Sequence, residues 1–184
     1  MSTRKKNVVV IGGGTGTYTL LRGLRQYADT LAITAIVTMA DSGGSTGRLR
    51  DEFGQLPVGD VRQALAALAP SIAGDNDILR ELFLYRFEKG AGLAGHNFGN
   101  LFLTALTDIL GSEVAAIEAA GELLRISGRV VPVTTDDVHL EATYQSGRVV
   151  VGEHDIDEPG EEHRHDRIVD LRVTSGATLY PGAR

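Results

Sequence analysis

The sequence predicts an α/β fold built on a parallel sheet, and three observations carry that expectation. Residues 7–11 (NVVVI) form a short, β-branched, wholly apolar run, which is how a strand covered on both faces reads. A glycine turn at 12–16 follows, and residues 17–27 then place Leu20, Leu21 and Leu24 at helical spacing. Residues 33–39 (ITAIVTM) read as a second strand, so a strand–helix–strand crossover is complete within the first forty residues.

The remaining elements follow in order. Residues 60–69 (DVRQALAALA) predict a helix with Asp60 as N-cap or first-turn residue, stopped by Pro70. Residues 76–88 predict another helix, and 89–95 a glycine-rich connection. A third helix is expected over 97–110, with Leu101, Ala105 and Ile109 as its stripe and Gly111 closing it, and a fourth over 113–124. Residues 129–133 (RVVPV) read as a strand. The alternation over 138–144, a turn at Ser146-Gly147 and the return over 148–151 predict a β-hairpin. The acidic stretch 157–166 reads as a surface loop, and 168–173 as one more strand.

Composition narrows the function. The chain has 184 residues and a net charge of −6, which argues against a general nucleic-acid binder while leaving room for a local anion site. It has no cysteine, which excludes disulfides and thiol chemistry. No apolar run reaches the length of a membrane span, and the basic start is followed by too short an apolar stretch for a signal peptide. The expectation is a soluble, cytoplasmic protein. Glycine is frequent, at 23 residues, and much of it falls in clusters near the N-terminus.

Three constellations suit a phosphorylated ligand. Gly12, Gly13, Gly14, Thr15, Gly16 and Thr17 lie between strand and helix, where a ligand can approach the backbone and a helix N-terminus offers amides. The strict GxGxxG spacing of the dinucleotide fingerprint fails here. The second is Asp41, Ser42, Gly43, Gly44, Ser45 and Thr46 with Arg48 and Arg50, read as a loop of backbone amides followed by guanidinium groups. Asp41 stands where a dinucleotide fold places its ribose acid. Asp60 and Arg62 follow; an anionic ligand would offset the cation in a helix's first turn, and a simple Asp60–Arg62 surface contact would do so too. The third is His96, Asn97 and Asn100, whose imidazole and carboxamides can read a base or a sugar, although Asn97 alone also suits helix capping. His163, Arg164, His165 and Asp166 with His154, Asp155, Glu161 and Glu162 have metal-binding side chains without ligand spacing and read as surface. Ser42 and Ser45 have no histidine close in sequence, and no nucleophile–base pair is recognisable.

In their order along the chain, GGGTG, DSGGSTGRLR with LPVGDVRQAL, LFLYRF, GHNFGN, GRVVPVT and GRVVVGEHDI resemble the CofD/YvcK-like family, and within it the bacterial YvcK branch of gluconeogenesis factors. The resemblance implies a Rossmann-like fold for a single domain over 1–184, comparable to the N-terminal portion of longer family members, with the C-terminal strands lacking. It implies a cytoplasmic binder of UDP-sugars, UDP-N-acetylglucosamine above all, that regulates cell shape and cell-wall synthesis during gluconeogenic growth and requires no cofactor. Cell-wall synthesis proteins would be its partners, and an unpaired sheet edge would favour a homo-oligomer. Two alternatives stay open. One is a 2-phospho-L-lactate transferase of deazaflavin-coenzyme synthesis, using magnesium and a nucleotide-activated donor, with Asp41 at the metal or acceptor. The other is NAD binding.

Overall fold

The computed structural model describes residues 4–70, 78–174 and 176–184. Two three-stranded sheets organise it. The first is parallel, in the order β1 (Lys6–Gly12), β2 (Leu31–Val37), β3 (Arg129–Pro132). Between β1 and β2 run helix α1 (Gly14–Leu24) and a 3₁₀ turn, Arg25–Tyr27. Between β2 and β3 come α2 (Gly44–Phe53), α3 (Gly59–Leu68), α4 (Ile78–Leu84), α5 (Phe98–Leu110) and α6 (Glu113–Leu123). The second sheet is antiparallel and set by β4 (Leu140–Tyr144) at its centre, between β5 (Val149–Val151) and β6 (Ile168–Val173). A short helix, α7 (Glu153–Asp157), follows β5.

The core lies on one face of the parallel sheet. Val10, Ile33, Ala35, Val37 and Val130 point into it from the strands, and α3 supplies an almost continuous buried run, Val61 and Ala64 to Ala69. Leu21, Phe83, Leu103 and Ile117 close it from α1, α4, α5 and α6. A helix buried nearly all round is expected to be apolar all round, and DVRQALAALA reads that way.

Several expectations need correction. β1 is not covered on both faces: Val9 is 56% exposed and Ile11 75%. α1 begins at Gly14 rather than residue 17, and of its leucines Leu21 alone is fully buried while Leu20 is exposed. β2 occupies 31–37 rather than 33–39. The segment from Asp41 to Arg50 is not a loop throughout; from Gly44 it is helical. The helix expected over 76–88 ends at Leu84, and its first two positions lie outside the described residues. On α5 the buried stripe is Asn100, Leu103, Thr104 and Thr107, whereas Ala105 and Ile109 face solvent. The hairpin, its turn and the last strand are as expected, with β6 joining the hairpin rather than the parallel sheet.

Candidate functional site

The C-terminal ends of β1 and β2 lead directly into the turns before α1 and α2, and the starts of α3 and α5 meet them there. Ligands of open parallel sheets bind beyond these strand ends. Gly13 occupies the N-cap position of α1, and Asp60, from the first turn of α3, stands in for the missing cap: its Oδ1 accepts the Gly14 N–H at 2.9 Å. There is no room for a side chain at residue 13. A Cβ would lie 2.0 Å from Asp60 Oδ2 and 2.4 Å from Thr38 Cγ2. Asp41 mirrors this arrangement. Its Oδ1 accepts from Gly43 N at 2.9 Å, and its Oδ2 lies against Gly59, where a Cβ would come within 2.1 Å.

Burial raises the Asp60 carboxyl above its ordinary pKa; the Gly14 amide opposes this, and the Asp41 charge adds to it. Glu153, from α7, is raised too, by burial first and then by Asp41, while the Ser42 backbone amide pulls it back. The hairpin therefore delivers a third carboxylate to the two that the sequence brings forward. It is fixed there by a second contact, His154 N donating to Ser42 Oγ at 3.1 Å.

The GHNFGN segment is joined to α2 and α3 through a buried polar network. Asn97 caps α5, with its Oδ1 accepting Gly99 N at 2.9 Å, and its amide holds Leu84 O at 3.0 Å. Ser45 Oγ lies 3.2 Å from His96 Nδ1, accepts Asn97 N at 3.2 Å, and is met by Asn100 Nδ2 at 3.4 Å. Asn100 also donates to Thr46 Oγ1 at 3.3 Å and accepts from Arg62 Nε at 2.9 Å. His96 is held below its ordinary pKa, by burial and then by Arg48. A serine and a histidine do meet here, although they lie far apart in sequence. The Ser45 hydroxyl is spent on holding α2 to α5, and both residues are buried.

The basic residues separate. Arg62 is buried and bound to Asn100, so the simple surface contact with Asp60, the alternative to an anionic ligand, does not form. Its pKa is lowered by burial and next by the charge of Arg86, which lies in the LFLYRF segment and is not among the candidate site residues of the sequence. Arg86 is exposed and donates to Gly95 O at 2.7 Å. Two neighbouring guanidinium groups repel, and an anion between them would relieve both. Arg48 is exposed and grips Ala94 O with both terminal nitrogens, at 3.2 Å. Arg50 is committed to the connection before the second sheet: it pairs with Asp137, donates to Val138 O at 3.1 Å and lies 2.9 Å from His139 Nε2. Thr15 and Gly16 are exposed on the first turn of α1, and Thr17 Oγ1 closes over Gly12. The 163–166 histidine cluster gathers no ligand set; among the described residues no group of three or more His, Asp or Glu is arranged for a metal.

A parallel α/β sheet whose strand ends carry glycine turns and converging helix N-termini defines a protein of the Rossmann-like α/β class. The chain belongs to the CofD family: the family model described as 2-phospho-L-lactate transferase CofD matches residues 8–181. It is 54% identical over 157 residues to a Nostoc sp. protein, covering 85% of this chain and 33% of the relative. It is 44% identical over 158 residues to a Bacillus subtilis protein named gluconeogenesis factor, covering 86% of this chain and 48% of that one. A crystal structure of a Bacillus halodurans protein superposes with a TM-score of 0.87 at 40% identity, over 97% of this chain and 54% of that one. The chain thus spans about half or less of the length of these relatives. Among the described residues no helix is long and apolar enough to cross a membrane.

Proposed function

We propose that this chain is a cytoplasmic binder of a nucleotide-diphosphate sugar of the UDP-N-acetylglucosamine kind. It acts as a gluconeogenesis factor that reports sugar-nucleotide supply to cell-wall synthesis proteins and so regulates cell shape, without making or breaking a bond. The single observation that carries this reading is the convergence of Gly12–Gly14, Asp41–Ser45, Asp60–Arg62 and His96–Asn100 beyond the ends of β1 and β2, with Arg62 bound to Asn100 and Arg86 to the Gly95 carbonyl at the last of these segments. The diphosphate would lie at the guanidinium pair, and the carboxylates would take sugar hydroxyls. The transferase alternative calls for magnesium. Asp41 and Asp60 each accept a backbone amide, and among the described residues no group of three or more His, Asp or Glu is arranged for a metal.

The test is a thermal-shift titration with UDP-N-acetylglucosamine, using NAD and magnesium-GDP as comparisons. A saturable rise in Tm specific to the UDP-sugar is expected. Arg86→Ala, an exposed change, should weaken it about tenfold while leaving the unliganded melt in place. A stronger response to NAD, or an Arg86→Ala variant that binds as tightly, would overturn the reading.

A further inference from the structure

The connection from α4 to α5 is a closed loop. Phe98 N donates to Tyr85 O at 2.8 Å and Phe87 N to His96 O at 2.9 Å, so its two limbs run against each other, and Gly95 N returns to Phe87 O at 2.7 Å. Beyond these rungs the tip, residues 88–94, is exposed along its whole length. The amides of Leu93 and Ala94 turn back onto Gly90 O, at 3.0 and 2.8 Å. Among the described residues, the hydrogen bonds that join this tip to another element come from one side chain, Arg48 of α2. It places both terminal nitrogens on Ala94 O, each at 3.2 Å. The next residue makes room for it. Gly95 has φ +83°, and a Cβ there would lie 2.8 Å from Arg48 Nη2.

That hold is a weak one. A guanidinium presents parallel N–H groups that match the two oxygens of a carboxylate or a phosphate. Here the fork of Arg48 is spent on a single neutral oxygen, at the long end of the hydrogen-bond range. No ion pair to a carboxylate competes for it among the described residues. The base of the loop is His96–Asn97, which Ser45 ties into the candidate site, so the tip and the site share one segment. We propose that residues 88–95 are the moving part of that site: a phosphate of the ligand takes the Arg48 fork from Ala94 O, and the tip comes away from α2. The same N–H groups serve both partners, so the two states exclude each other, and the charged partner is the stronger. Arg86, which bonds Gly95 O from within the loop, keeps the base closed as the tip leaves. Occupancy is thereby displayed at an exposed surface, as a protein that reports a ligand without making or breaking a bond requires. The inference rests on the nucleotide-sugar reading and names its moving element.

Hydrogen–deuterium exchange tests it, with UDP-N-acetylglucosamine at saturation. Bound ligands ordinarily slow exchange around them. Here the amides of residues 93–96 should exchange several-fold faster in the complex, while those of α3 stay as they are or slow. Arg48→Ala should give the fast exchange over 93–96 without ligand, show no further rise with it, and bind about tenfold more weakly. Gly95→Ala separates the two roles of the arginine. Its methyl pushes the fork off Ala94 O but leaves the guanidinium for the ligand, so exchange should again be fast without ligand, with binding no weaker than in the parent. Saturable binding with exchange over 93–96 slowed or unchanged would overturn this proposal and leave the ligand reading standing. So would an Arg48→Ala variant whose loop exchanges as the parent's does, or a Gly95→Ala variant that binds as weakly as Arg48→Ala. Absence of saturable binding to the parent chain would end the ligand reading and this proposal with it.

Discussion

A methyl group at residue 13 has nowhere to go. The Asp60 carboxylate and the Thr38 side chain already fill that space, and neither is at the end of a long flexible chain. Gly13→Ala is therefore expected to cost about 1–3 kcal/mol in urea denaturation and to loosen the Gly14–Asp60 bond. The same substitution at Gly16, where nothing lies within 4 Å, should be nearly neutral. Glu153 gives a pH signature. Its folded pKa is raised above the unfolded value, so the folded state holds the proton more tightly. The contribution to stability is full below the unfolded pKa and is lost as pH rises through the folded one. Glu153→Gln should accordingly raise Tm slightly at pH 7, and the gain should vanish as pH falls to the ordinary carboxylate range, read from melts across a pH series. The sequence brought Asp41, Asp60 and the glycine clusters forward because glycines and an acid after a strand are local signals. Glu153 and Arg86 stand in the GRVVVGEHDI and LFLYRF segments but were not legible as site residues, because each reaches the site from an element distant in sequence. Arg50 was over-read, because a guanidinium near glycines looks the same whether it faces a ligand or the next sheet.

Whole elements were misjudged wherever packing, rather than periodicity, decides. α2 begins with Gly44, Ser45, Thr46 and Gly47, a poor helical sequence by intrinsic preference. It is helical because Ser45, Thr46, Leu49 and Arg50 are all buried against neighbours, and because Gly47 lets the chain pass close to Ser42 O, 2.3 Å from where a Cβ would be. α5 was legible in extent but not in orientation. Its buried stripe carries Asn100, Thr104 and Thr107, which a search for apolar spacing passes over. The caps supply an internal comparison. Ser112 caps α6 with one bond to Ala115 N, whereas Asn97 caps α5 and also holds Leu84 O from within the network. Ser112→Ala should cost about 1 kcal/mol. Asn97→Ala should cost distinctly more, measured in the same denaturation series, because it leaves buried partners unpaired.

For the whole molecule, the parallel sheet was predictable from its first forty residues, and the hairpin from its own alternation. How the two sheets join was not, since it depends on single side chains. Arg50 ties α2 to the strand connection at Asp137–His139, and His154 and Glu153 tie the hairpin's helix to Ser42. Arg50→Ala leaves Asp137 in solvent rather than orphaned, so the chain should still fold. Amide exchange in β4 and β5 is expected to rise several-fold while that of α3 stays put. One further consequence comes from the position of β2 between β1 and β3. Its first neighbour is synthesised before it, but its second does not exist until Arg129 has left the ribosome. Throughout that interval the central strand of the sheet keeps an open side in the nascent chain. The helices made meanwhile, α3 above all with its nearly continuous apolar surface, must collect against a half-built sheet. The β2–β3 pairing is the most distant in sequence within the parallel sheet, and its closure is expected to come late in folding, read as the slowest protection of β3 amides in pulsed hydrogen exchange.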